Sequence, residues 1–214
     1  MARGRFITFE GGEGAGKSTQ VRFLVEALMR SGIDAIATRE PGGAPGAELI
    51  RKLLVDGPEA RWEPLAEAVL HFAARREHVV RTVWPALERG QWVVSDRFAD
   101  STMAYQGYGQ GADRDAIRSL YRATLGDFAP DLTFVLDVPV AVGLARARAR
   151  EGGVQSRYER MDPAMHERLR QGFLAIADSE PKRCVTLDAG IGAEAVQAQV
   201  RTLVGERLGM NFRG

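Results

Sequence analysis

The chain has 214 residues, of which 45% are hydrophobic and 27% charged, and its formal net charge at pH 7 is +1. That length suits one compact domain over 1–214 with a sizeable core. A charge so near zero supplies no general field for nucleic acid or an acidic membrane, so any anion site has to be built locally. The single cysteine, Cys184, excludes an intramolecular disulfide framework and fits a reducing cytosol. No metal-ligand spacing surrounds it, and it reads as a small buried strand residue. No apolar run approaches the length of a membrane-crossing helix, and no apolar core follows Arg3 and Arg5 as it would in a signal peptide. A cytoplasmic protein is expected.

The first apolar run, Phe6–Glu10, reads as a strand. It leads into Gly11-Gly12-Glu13-Gly14-Ala15-Gly16-Lys17-Ser18, which matches G-x-x-x-x-G-K-[ST], and a helix-competent stretch over about 17–31 follows. Strand, glycine loop and helix in that order form a nucleotide phosphate site. Backbone N–H groups surround phosphate oxygens, and the helix N-terminus adds partial positive charge. Lys17 reaches the β/γ-phosphates, and the Ser18 hydroxyl can ligate Mg²⁺.

Further strands are predicted at Ala35–Arg39, Trp92–Ser95, Leu132–Leu136 and Cys184–Leu187, each short and rich in the residues of strands buried on both faces. Helices are predicted over about 45–55, 63–89, 112–125, 139–150, 163–178 and 192–208. Pro64 suits the first turn of the long third helix and Gly90 its C-terminal end. This alternation predicts an α/β fold of P-loop NTPase type, a five-stranded parallel sheet surrounded by helices. Ligands in such a sheet sit at the carboxyl ends of the strands. Arg39-Glu40-Pro41-Gly42-Gly43 is a tight turn after the second strand. Glu151-Gly152-Gly153-Val154-Gln155-Ser156 reads as a mobile flap within a small Arg-rich lid over about 146–160.

The third strand ends in Ser95-Asp96-Arg97-Phe98. Asp96 can hold Mg²⁺ through water, and Arg97 can clamp a second phosphate group. Asp137 competes as a metal-side carboxylate, or serves the N-terminus of the following helix. Arg146, Arg148, Arg150, Arg157 and Arg160 bracket the flap, and phosphoryl transfer needs cations on the transferring group. On the long helix, Phe72, Arg75 and Arg76 combine an aromatic ring with guanidinium groups that could stack on a base and bond its carbonyl. Ser101 to Gly107 offers hydroxyls and an amide just after Arg97.

Together these residues resemble the thymidylate kinase family of P-loop nucleoside monophosphate kinases. The matching pieces, in the family's order, are Phe9-Glu10-Gly11, the glycine loop, Arg39 to Gly43, the Phe-Ala-Ala-Arg helix, Asp96-Arg97-Phe98, Ser101 to Gly107, Leu136-Asp137-Val138 and the Arg-rich lid. The resemblance implies ATP-dependent phosphorylation of dTMP to dTDP with Mg²⁺, small-molecule substrates only, and a homodimer, for which the 63–89 helix offers a surface. It gives Gly11 through Thr19, including Ala15, to the ATP phosphates, Ser18 and Asp96 to the metal, and Arg146 to adenine. Pro41, Arg97 and Ser101 fall on the acceptor side, with Glu13 by the sugar 3′-hydroxyl. Thr102 and Gln106 lie near thymine, and Tyr105 lies near C2′. Arg75 or Arg76 reads the thymine carbonyl, and Phe72 or His71 stacks on the ring. With Gly14 in the loop, the catalytic cations besides Lys17 and Arg97 come from Arg148, Arg150 and Arg157. Rival readings are another nucleoside monophosphate kinase and a P-loop switch with no acceptor.

Overall fold

The computed structural model describes residues 3–149 and 157–212. Five parallel strands, β1 (Phe6–Glu10), β2 (Ala35–Arg39), β3 (Trp92–Asp96), β4 (Leu132–Asp137) and β5 (Cys184–Asp188), form one sheet in the order β2-β3-β1-β4-β5. All five expected strands are present, three of them extended by one residue to end on Asp96, Asp137 and Asp188. The central strand β1 is buried along its whole length, as a strand covered by helices on both faces must be.

The helices are α1 (Lys17–Arg30), α2 (Pro45–Val55), α3 (Pro64–His78), α4 (Trp84–Glu88), α5 (Ala99–Thr102), α6 (Arg114–Leu125), α7 (Val140–Arg148), α8 (Pro163–Ser179) and α9 (Ala193–Leu208). Alternation along the strands divides the core. Ile7, Phe9, Phe134 and Leu136 face α1 and α9, packing with Leu24, Leu28 and Val200. On the opposite face Phe6 and Val93 meet Val83, Leu87 and Phe98, while Val135 joins Tyr105, Leu169 and Phe173. Cys184 is a buried free thiol in the latter group.

Two segments differ from the sequence reading. The expected single helix over 63–89 is broken by a π-helical turn, Val79–Val83, between α3 and α4. Pro85 explains it: a proline has no N–H to return to the preceding turn, and its ring clashes there, so the helix widens just before it. The start is as expected, with Pro64 in the first turn and both Glu63 oxygens accepting from the N–H groups of Leu65 and Ala66. The other difference follows β3. Residues 99–109 are helical, α5 running into a π-helical turn, Met103–Gly109. That turn carries Tyr105 and Gln106 inward, both buried.

Phe134 is fully buried and stacks on Phe9 at a centroid distance of 5.2 Å. Phe134→Ala should lower the unfolding free energy by about 3–5 kcal/mol, read as a reduced urea midpoint at an unchanged slope.

Candidate active site

The glycine loop leaves β1 at the carboxyl edge of the sheet and ends at α1. Gly11, Gly14 and Gly16 have φ of 132°, 67° and 92°, a region that residues with a Cβ seldom enter. Lys17 folds back over the loop, and its Nζ donates to the carbonyls of Gly12 at 2.7 Å and Gly11 at 3.1 Å. Burial and the neighbouring Arg97 push its ammonium down to about 8, against the pull of Asp96 and Glu13. Ser18 Oγ donates to Asp96 Oδ2 at 2.5 Å. Two hard oxygen donors thus meet beside the phosphate loop, a set that fits Mg²⁺ sharing its remaining positions with phosphate oxygens and water. Among the described residues no cluster of three or more His, Cys, Asp or Glu could hold a metal without such help.

Arg97 stands opposite the loop. It is the one non-glycine residue with positive φ (73°) among the described residues. Its Nη1 donates to Gly11 O at 3.0 Å and Ser101 Oγ at 3.2 Å. Its Nη2 donates to Glu13 Oε1 at 3.0 Å and the Tyr105 hydroxyl at 2.8 Å. The Tyr105 hydroxyl in turn donates to Glu13 Oε1 at 2.7 Å. Burial works against the Glu13 carboxylate, but Arg97, Lys17 and this hydroxyl outweigh it and hold the group down at about 2. Behind Arg97, Glu10 accepts from Phe98 N at 2.7 Å and Ser101 Oγ at 2.5 Å. Burial, reinforced by nearby Asp100, pushes Glu10 up to about 8.

A cavity of about 430 Å³ extends from the loop past Arg97 to α3. Arg75 closes its far end. This residue is 2% exposed; its Nε donates to Glu40 Oε2 at 2.7 Å, and its Nη2 to Phe98 O and Thr102 Oγ1. Its Nη1 is buried without a partner in the protein. Gln106 lines the same space. Its Nε2 donates to Glu67 Oε1 at 2.7 Å, while its Oε1 is buried without a partner. His71 and Tyr158 complete this wall, with His71 Nε2 2.9 Å from the Tyr158 hydroxyl. Burial, with Arg75 and Arg157 nearby, holds His71 neutral, well below its usual range.

The cavity therefore brings together Glu13, Gly14, Gly16, Lys17, Ser18, Thr19, Pro41, Arg75, Asp96, Arg97, Ser101, Tyr105, Gln106 and Arg146. Other expected residues lie elsewhere. Arg76 points away, donating to Thr124 O at 2.8 Å and lying over Trp84. Of these two neighbours Arg75 lines the cavity, drawn inward by Glu40. Phe72 is a core residue packed with Ala68 and Ile117, and His71 takes its place on the cavity wall. Thr102 is buried outside the cavity lining and accepts from Arg75 Nη2 at 3.1 Å. Asp137 is bound by Arg170 at 2.7 and 2.9 Å, on neither a metal site nor a helix start.

The lid assignment needs correction at Arg157. Its side chain is fully buried outside the cavity. It donates to Leu54 O and Glu59 O, and its Nη2 stands 2.5 Å from Glu67 Oε2, close in charge contact though off the line of a hydrogen bond. Arg148 is exposed at the end of α7. Arg150 and the expected flap, 151–156, lie outside the described residues. Sequence reasoning overlooked Arg51 and Tyr158 on the cavity wall, and noted Arg39 only as the start of the turn after β2. Arg51 carried a readable signal: α2 begins just after the Arg39–Gly43 turn, and Arg51 Nη1 reaches back to Pro41 O at 2.6 Å.

Glu10 yields a pH test. Its folded pKa of about 8 exceeds the ordinary 4.5, so its contribution to stability is full below the unfolded value and is lost as pH rises through the folded one. Glu10→Gln cannot ionise. Its melting temperature relative to the parent should therefore rise as pH is raised from about 5 to 9; a constant difference would mean that Glu10 is ionised throughout.

Comparison with known proteins gives one family. A thymidylate kinase family model matches residues 9–200. The chain is 53% identical over 210 residues to a thymidylate kinase of Caulobacter vibrioides, covering 98% of this chain and all of that protein. It is 51% identical to one from a Bradyrhizobium species, over 96% and 92% of the two chains. A crystal structure of thymidylate kinase from Ehrlichia chaffeensis superposes with a TM-score of 0.75 at 35% identity, covering 94% of this chain and 98% of that one. With the phosphate loop, the opposed arginine and the cavity beyond it, these matches place the chain in the thymidylate kinase family.

Proposed function

We propose that the chain transfers the γ-phosphoryl group of ATP to dTMP, giving dTDP and ADP, a step towards dTTP. The observation that carries this reading is that Arg75 and Gln106, which line the far end of the cavity, each keep one buried polar atom without a partner in the protein. Arg75 Nη1 offers a donor and Gln106 Oε1 an acceptor. A thymine edge presents the complement, an O4 acceptor beside an N3–H donor, whereas cytosine presents the reverse. A buried polar group left unpaired costs about 1–3 kcal/mol, so this pair selects by base polarity.

The remaining roles follow from position. Arg97 takes the dTMP phosphate as a charge-assisted clamp, already aimed by Glu13, Tyr105 and Ser101. The Glu13 carboxylate, kept ionised, is poised to accept from the sugar 3′-hydroxyl, and Tyr105 stands at C2′. Loop N–H groups and Lys17 hold the ATP phosphates, and Arg146, braced on Ala189 O at 2.9 Å, lies on the adenine side. Ser18 and Asp96 would hold Mg²⁺, which would supply charge neutralisation for the phosphoryl transfer. The transition-state arginine comes from Arg148 or Arg150. No described helix is long and apolar enough to cross a membrane. A homodimer through the α2–α3 side is supported by exposed apolar Leu49, Leu53 and Val69.

A coupled ADP-release assay over dTMP, dUMP, dCMP, dGMP and AMP tests the function. Turnover should depend on dTMP; ATP hydrolysis indifferent to every acceptor would overturn it. Arg97→Ala should raise KM for dTMP by about tenfold or more and leave KM for ATP nearly unchanged, as steady-state kinetics with each substrate varied will show. Single alanine variants at Arg148 and Arg150 should include one whose kcat falls by roughly 10²-fold at near-constant KM, since a contact made only in the transition state lowers kcat alone.

A further inference from the structure

We infer that Glu67, which does not reach the cavity, sets the polarity of its base-reading end by fixing which way round the Gln106 amide sits. The inference rests on the reading that this end takes a thymine edge. A glutamine amide is almost the same shape in its two flips, so sterics do not choose between a cavity-facing oxygen and a cavity-facing NH₂. The partner of the inward atom chooses. Here that partner is Glu67 Oε1, 2.7 Å from Gln106 Nε2, and both side chains are buried. An ionised carboxylate can only accept. The flipped amide would set oxygen against oxygen.

The surroundings keep Glu67 an acceptor. The Tyr158 hydroxyl donates to Oε1 at 2.8 Å, Gln110 Nε2 approaches it at 3.3 Å, and Arg157 faces Oε2 at 2.5 Å. Tyr158 is free to donate because its hydroxyl can accept from His71 Nε2. Donors from the Met103–Gly109 turn and from the chain before α8 therefore converge on one carboxylate of α3. Arg157, expected on sequence grounds to serve catalysis, instead faces this carboxylate from the side away from Gln106. Glu67 is a positioning residue, acting on the substrate only through Gln106.

The test is Glu67→Gln, with kcat/KM measured for dTMP and for dCMP. The new amide has one oxygen, and the Arg157 cation claims it. Its NH₂ then faces Gln106, whose amide turns over and offers NH₂ to the cavity, a donor suited to N3 of cytosine. The ratio of kcat/KM for dTMP over dCMP should fall by at least about tenfold. KM for ATP should stay within about twofold, a split that general loss of structure would not give. A folded Glu67→Gln variant that keeps the parental ratio overturns the inference. Should that variant fail to fold, Glu67→Met combined with Arg157→Met removes both buried charges together. It leaves Gln106 Nε2 unheld and should also lower the ratio; an unchanged ratio again overturns the inference. Gln106→Leu separates the two levels. If it lowers the ratio and the Glu67 variants do not, Glu67 has no such role. If Gln106→Leu itself leaves the ratio unchanged, the base-reading assignment falls, and the role of Glu67 with it.

Discussion

The site depends on a contact from which side chains are excluded. A Cβ on Gly11 would lie 2.4 Å from Leu136 O, one on Gly14 would lie 1.9 Å from Gly143 O, and one on Gly143 would lie 2.5 Å from Glu13 O. The phosphate loop thus rests with its backbone directly on the end of β4 and the first turns of α7. Side chains there would act as soft spacers; bare backbone gives a hard register. Because β4 is paired to β1 with Phe9 opposite Phe134 and Glu10 opposite Val135, the loop's height above the sheet follows from the strand pairing. Where its N–H groups aim, and where Glu13 meets Arg97, follow in turn.

The second constraint is charge. Lys17, Arg97, Glu13, Glu10 and Asp96 crowd one end of the sheet, and none could be buried there alone without a large desolvation cost. They are mutually compensating. Glu13 stays ionised because two cations face it, while Glu10, deeper and beside Asp100, takes the neutral form around pH 7. Arg97 also carries backbone strain, of about 1–3 kcal/mol for a positive-φ residue. Its four side-chain hydrogen bonds and that of its N–H to Phe9 O at 2.9 Å hold it there. The strain turns the guanidinium back over the loop, where a regular continuation of β3 would carry it past the sheet edge.

The parts legible in the sequence were those governed by local rules. Strands buried on both faces are short apolar runs, the glycine loop is a motif with its strand and helix attached, and Pro64 and Gly90 mark helix ends. All five strands and the place of the glycine loop between β1 and α1 followed from these. Less legible were features fixed by partners far along the chain. Arg75 and Arg76 are adjacent and identical in type. Only Glu40, on a different loop, draws one inward, while Thr124 O holds the other outside. Phe72 and His71 are likewise neighbours on one helix, and Phe72 is the one claimed by the core. The π turns before Pro85 and over Met103–Gly109 shift the helical phase, which simple 3.6-residue periodicity does not register.

The same reasoning narrows the catalytic arginine. An arginine acting on the transferring group supplies about 10³–10⁵ in rate, or roughly 4–7 kcal/mol. To reach that group, Arg157 would have to leave Leu54 O, Glu59 O and a fully buried Glu67. Breaking a buried ion pair costs about 3–5 kcal/mol, which would cancel most of the gain. Its backbone N–H is tied as well, to Val55 O at 3.2 Å, so the move would also drag on the end of α2. Arg148 carries no such cost, being exposed on the last turn of α7, the helix that seats the phosphate loop. A cation that need not leave a buried carboxylate to reach the phosphates is the better catalyst, and that argument favours the α7 end of the arginine cluster over its far side.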